Sequence, residues 1–221
     1  MTWLTVPPPP ASRPAGDPST FPLPSGTRFW RVHAPPHTAD SFNPTAQPSC
    51  LVGGRFDSLD GSFAYVYLGN EPSTAIVETV CRDLPLGGAP RIVPRKEITG
   101  RRLSQVTVTR DLTVLVLHGA GLAHVGAGLW LTKSEADQYE TTRAWANALR
   151  LWFPRVDGFR YRPRHDEDAF ACVLFDDGPT ALYARARGSL ACEGPSVDLL
   201  DPSFAVVLRE TLHKFNASIE L

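Results

Sequence analysis

The 221-residue chain is poor in the features that mark several large protein classes. Its four cysteines, at positions 50, 81, 172 and 192, form no CxxC pair and no metal-ligand spacing. A disulfide scaffold and a zinc site are therefore not expected, and the cysteines read as reduced, mostly buried thiols. No run approaches the roughly 18 apolar residues that a membrane span requires. The opening "MTWLTVPPPPASRPAG" lacks the basic-then-apolar order of a secretory leader. A cytoplasmic location without membrane contact is the expectation. Net charge is −1 and the pI about 6.6, so no general electrostatic footprint for nucleic acid exists. An anionic ligand would have to be held by a local group of arginines. There is no GxSxG elbow for a serine nucleophile and no internal repeat of 20–50 residues.

Two glycine-rich motifs fail on inspection. In "HGAGLAHVGAG", a dinucleotide fingerprint starting at Gly119 would need its third glycine where His124 stands. In "GAGLWLTKS", Thr132 and Ala127 occupy both glycine positions of a phosphate loop ending at Lys133. The run reads as a flexible connection, a hinge or a close-packed turn. "RHDED" (164–168) sets His165 beside three carboxylates, but consecutive residues on a turn rarely converge on one ion. It reads as a solvated charged loop, and no metal is expected.

What the chain does contain is a mixture of strand and helix signals. Hydrophobic residues make up 43% and charged residues 20%, as in an ordinary globular domain with a sizeable core. Prolines crowd residues 1–26, above all Pro7–Pro10, and periodic hydrophobicity is almost missing there. This segment reads as an extended or polyproline arm, draped or free, preceding a folded unit over 27–221. "RFWRVHAP" from residue 28 alternates like a strand, and a long loop rich in Gly, Pro, Asn and Asp follows. "FAYVYLG" reads as a strand. Pro72 then falls at a first helical position, with Asn70 or Glu71 as cap, and the helix should run to about Arg82. Residues 101–117 read as one or two strands broken at "DL". Residues 134–153 form the clearest helix, with Trp145, Ala148, Leu149 and Trp152 on one face and Pro154 ending it. Short strands are expected at "DGFRYRPRHD", "AFACVLFDD" and "PTALYARARGSL". An amphipathic helix over 201–215, capped by Asp201, closes the chain. The sum is a mixed α+β domain, too irregular for a βαβ series.

Three polar residues stand where such elements favour apolar ones: Arg31 in "FWRVH", Arg55 in "GGRF" and Glu78 on the helix after Pro72. An arginine between aromatics or after two glycines suits close approach to phosphate, because the guanidinium bonds bidentately and glycine lets the backbone come near. Each also has an ordinary reading as an ion pair at a strand edge or loop. Glu78 in particular sits four residues before Arg82, a common surface pair worth a few tenths of a kcal/mol.

The ordered set "FWRVH", "GGRF", "YVYLG…STAIVE" and "YETTRAWA…DGFRYR" resembles the RES-domain family, named for Arg, Glu and Ser, over residues about 28–178. That resemblance implies an α+β fold similar to the ADP-ribosyltransferases, a split mixed sheet with flanking helices and NAD+ in the cleft. It implies an NAD+-degrading enzyme that cleaves the nicotinamide–ribose bond, a phosphorylase or glycohydrolase. Many members are toxins paired with an Xre-type antitoxin. NAD+ would be the substrate, with inorganic phosphate, water or a protein side chain as acceptor. The last case would be a protein ADP-ribosyltransferase. A binding module that has lost turnover, or a protein acting through its proline-rich arm, are the alternatives. By the same resemblance Arg31 and Arg55 hold the pyrophosphate or ribose side, Tyr67 stacks near nicotinamide and Glu78 is the catalytic acid residue. The family serine falls at Thr142, with Thr141 as neighbour, and Pro163 stands where many relatives have a second serine.

Overall fold

The computed structural model describes residues 5–49, 52–85, 91–177, 186 and 188–220. Ten strands, β1 (Thr20–Leu23), β2 (Arg28–His33), β3 (Ala64–Gly69), β4 (Arg91–Val93), β5 (Arg102–Val108), β6 (Leu112–Leu117), β7 (Gly158–Tyr161), β8 (Ala171–Asp176), β9 (Leu190–Asp198) and β10 (Ala217–Ile219), are found among them. The helices are α1 (Pro72–Val80), α2 (Ala120–His124), α3 (Trp130–Lys133), α4 (Tyr139–Trp152) and α5 (Ala205–Lys214). Eight strands form one mixed sheet in the order β1-β6-β7-β8-β3-β2-β5-β9, and β4 pairs with β10 in a small second one. Within the large sheet β6 and β7 run parallel, joined through α2, α3 and α4; the other described pairs are antiparallel.

Period-two alternation places the core on both faces. Tyr65, Val173, Phe175, Leu115 and Leu117 pack with Trp145, Leu149 and Phe56 on the side of α4. Val66, Leu68, Cys172, Leu174 and Val114 pack with Phe29 and Val106 on the other. A third cluster gathers Ile76, Val77 and Val80 of α1 with Leu208 and Leu212 of α5, so the C-terminal helix backs the one that carries Glu78.

The sheet is open at one seam. β2 and β3 register through a single pair, Trp30↔Gly69. Continuing that register would set Arg31, Val32 and His33 against Leu68, Tyr67 and Val66. Those residues instead line a cavity between the separated strands.

Several expectations change at this level. The proline-rich segment is extended but not free: Val6 is buried in the main core, the Trp145 indole donates to the Pro7 carbonyl at 2.7 Å, and β1 adds an edge strand to β6. The glycine-rich run after β6 is not a flexible connection, since α2 forms within it and Gly121 lies so close to β6 that a Cβ would come within 2.3 Å of the Val116 carbonyl. Glu71 caps α1 without a side-chain bond, and the helix stops at Val80. The C-terminal helix starts with a 3-10 turn over Pro202–Phe204, where Asp201 accepts from the Ser203 N–H. Much of "PTALYARARGSL" lies outside the described residues, as does Cys50. Cys81 and Cys172 are buried free thiols and Cys192 is an exposed one, and burial pushes the Cys81 thiol up to about 11.

Candidate active site

Glu78 reaches the cavity because of how β3 hands over to α1. Gly69 ends the strand where a Cβ would lie 2.6 Å from the Ala75 nitrogen, so only glycine lets the helix start fold back so tightly. Pro72 begins the helix, its missing N–H being one that a first turn leaves unpaired in any case. Glu78 then projects toward the sheet opening, with 11% of its side chain exposed.

Its carboxylate is held from three sides. Oε2 accepts from the Tyr161 hydroxyl at 3.0 Å and lies 3.9 Å from Arg55 Nη1; Oε1 accepts from the Arg164 backbone N–H at 3.1 Å. The surface pair with Arg82 is not formed, because Arg82 bonds Asp83 instead. Burial and the Glu78 charge push the Tyr161 phenol well above its ordinary value, which keeps it a donor.

Arg55 is 3% exposed. Its Nε donates to the Ser134 carbonyl at 3.2 Å, its guanidinium lies over the Tyr139 ring, and Nη2 has no hydrogen-bond partner among the described residues. Burial works to lower its pKa, but Tyr139 and Glu78 hold it above the ordinary value, so it stays charged. A buried unpaired donor costs about 1–3 kcal/mol, a cost that a ligand oxygen removes. Arg31, on the opposite side of the seam, gives Nη1 to the carbonyls of Thr38, Ala39 and Ser41. Burial lowers its pKa to about 10, offset by Asp40, and it remains a cation at neutral pH.

The loop between them is built on glycine. At Gly54 a Cβ would meet the Tyr67 hydroxyl at 2.7 Å, and Gly53 has φ +82°. Tyr67 donates to Asp57 Oδ1 at 2.7 Å and accepts from the Phe56 N–H at 2.9 Å, which locks its ring at the cavity wall. The cavity bounded by these residues has a volume of about 340 Å³, within the range of small-molecule sites.

The family model of the RES domain matches residues 28–198. The chain belongs to the RES-domain family. Among solved structures, the toxin–antitoxin complex MbcT–MbcA of M. tuberculosis is similar at 17% identity and a TM-score of 0.54, covering 85% of this chain and 91% of that one. No curated protein matches the sequence. The likeness fixes the fold, the α+β type with a mixed split sheet similar to the ADP-ribosyltransferases.

Of the residues picked from sequence, Arg31, Arg55, Tyr67 and Glu78 come together around the RES-domain cavity. Thr142 does not line it. Its hydroxyl is fully buried and donates to the Arg55 carbonyl at 2.9 Å, so it holds the backbone that carries Arg55. Missed from sequence were Tyr161, Asp57, the Arg164 amide and Arg143, whose guanidinium donates to the carbonyls of Gln47, Ser49, Val52 and Gly54. "GGRFD" and "TTRAWA" contain the signal, an acid two residues after Arg55 and an arginine beside the inward-facing threonine.

The "RHDED" stretch is not a solvated loop. Arg164 and Asp166 are buried; Asp166 accepts from Thr74 of α1 at 3.0 Å, and Arg164 pairs with Glu135. His165 accepts at Nδ1 from Arg91 at 2.8 Å. Burial, with the Arg91 and Arg164 charges, pushes its pKa from 6.5 to about 3. The folded protein thus keeps His165 neutral where the unfolded chain protonates it, so stability falls as pH drops from about 6.5 toward 3. Thermal melts across that range will show a shallower decline for H165Q, and equal slopes would refute the assignment. Among the described residues no group of three His, Cys, Asp or Glu stands ready for a metal, and no helix is long and apolar enough to cross a membrane.

Proposed function

We propose that this RES domain is an NAD+-degrading enzyme that cleaves the nicotinamide–ribose bond, acting in the cytoplasm as the toxin of a toxin–antitoxin pair. The observation that carries it is a carboxylate held by two hydrogen-bond donors and a buried arginine, at a cavity in the split of the sheet. Breaking the bond passes through an oxocarbenium-like state. The positive charge that develops on the ribose is stabilised by Glu78, already oriented and needing no reorganisation. Nicotinamide leaves as a neutral molecule, so no strong general acid is required. Arg31 and Arg55 hold the pyrophosphate and ribose side, and the free Nη2 of Arg55 is a donor for it. Tyr67, locked by Asp57, walls the nicotinamide end. Thr142 serves by fixing the Arg55 carbonyl. Uniting these groups on one substrate supplies much of the remaining acceleration.

The acceptor is phosphate or water. An enzyme of this kind depletes the NAD+ of its own cell, which calls for a dedicated inhibitor; the similar MbcT is solved as a complex with the antitoxin MbcA. Purified protein incubated with NAD+ will release nicotinamide. Release that rises with inorganic phosphate and yields a phosphorylated ADP-ribose identifies phosphorolysis, and release indifferent to phosphate identifies hydrolysis. Bound NAD+ without release under either condition would reduce the cavity to a binding site and end the enzymatic reading.

A further inference from the structure

Lys133, the residue at the end of the failed phosphate-loop motif, has no place in the chemistry above, yet it is drawn into the site. At the end of α3 its Nζ donates to the Arg162 carbonyl at 3.1 Å and to the Pro163 carbonyl, and it pairs with Glu167. The Pro163 carbonyl and the Arg164 N–H belong to one peptide unit. Its oxygen end is held by Lys133, and its hydrogen end points at Glu78 Oε1, 3.1 Å away.

We propose that Lys133 is a positioning residue for Glu78, acting through the Pro163–Arg164 peptide. This rests on the reading of Glu78 as the carboxylate of the reaction. The peptide is planar, so fixing its oxygen fixes the direction of its N–H. A cation on the carbonyl oxygen draws electron density from the nitrogen, and the N–H becomes a stronger donor by about 10–30%. The surrounding loop is braced to keep the plane in place. Pro163 has a fixed φ, Arg164 reaches the Arg82 carbonyl and Glu135, and Asp166 holds Thr74 of the helix that carries Glu78. Pro163 in place of the family serine then stiffens the link between Lys133 and Glu78.

The charges around Lys133 come from several elements: Glu78 on α1, Arg55 on the glycine loop, and Arg162, Asp166 and Glu167 from the segment after β7. Burial lowers its pKa to about 8; Glu78 and Asp166 work against that fall, and Arg55 and Arg162 add to it. The ammonium, and with it the polarised amide, is present below about pH 8 and fades above it.

The test reads the Arg164 amide by 15N–1H correlation in the protein without NAD+, alongside nicotinamide release, for wild type, K133M and K133R from pH 6.5 to 9.5. In wild type the amide proton lies downfield and moves upfield with a midpoint near pH 8. In K133M it stays upfield throughout. In K133R it stays downfield. The K133M turnover at pH 7 falls on the order of 10-fold with KM nearly unchanged, the rate equivalent of one weakened charge-assisted hydrogen bond, and K133R recovers most of it. Should K133M fail to fold, the wild-type titration and K133R still decide. An amide signal that ignores both the Lys133 titration and the substitutions overturns the proposal, whatever the rates. Because that signal needs no NAD+, a protein showing the shift but releasing no nicotinamide overturns the enzymatic reading instead.

Discussion

Replacing Glu78 with glutamine will lower nicotinamide release by roughly 10²–10³-fold or more, the loss typical of removing one preorganised electrostatic partner from a transition state. Glutamine has nearly the same shape. Its amide oxygen can still accept from either the Tyr161 hydroxyl or the Arg164 N–H, but its NH₂ must face the other donor. Arg55 also loses the carboxylate 3.9 Å away. The expected stability loss is about 1–3 kcal/mol, tolerable for a domain of this size. Circular dichroism should therefore show an intact fold, and calorimetry retained NAD+ binding, while chromatography detects almost no product. Wild-type turnover by E78Q would remove Glu78 from the mechanism.

The strand–turn–helix that delivers this carboxylate is legible in the sequence because its signals are local. Alternation runs through Tyr65–Leu68, Gly69 and Pro72 punctuate it, and helical spacing takes over. Burial of Glu78 is not legible, since its partners Tyr161 and Arg164 stand 83 and 86 residues away. On a helical wheel the Arg82 pair looks just as good. Thr142 shows the same limit from the other side. The wheel turns its hydroxyl inward, as the structure has it, but whether it meets a cavity or the Arg55 carbonyl depends on a loop 87 residues back. β9 escapes notice for a different reason. It is an edge strand, exposed or half-buried beyond Leu190, with Gly194 and Pro195 inside it, so the apolar alternation that betrays a buried strand is missing. β1 hides among prolines for a related cause, because an edge strand tolerates Pro22 where a central one would not.

Arg143 is the largest structural commitment that sequence alone conceals, and its removal carries the second large effect. In an amphipathic helix an arginine reads as surface, yet this one is fully buried and donates to four carbonyls of the 47–54 loop. The described residues of that loop lie in no helix or strand that would satisfy their backbone, so a single fork gathers them. The same loop ends at Gly54, immediately before Arg55, and its Gly53 is packed so tightly that a Cβ would lie 3.1 Å from Arg143 Nη2. Arg143→Met preserves most of the volume and removes the donors, including the one to the buried Gly54 carbonyl. The expected cost is about 3 kcal/mol, several charged hydrogen bonds set against the desolvation that a neutral side chain no longer pays. For a domain of this length that is a drop of about 6–12 °C in Tm. Activity should fall further than stability alone explains, through a raised KM, because Arg55 loses its fixed backbone. Arg143→Lys should fall between, since a point charge cannot reach four carbonyls in a fork. An R143M protein that melts and turns over like wild type would show that the loop is held by something other than this arginine.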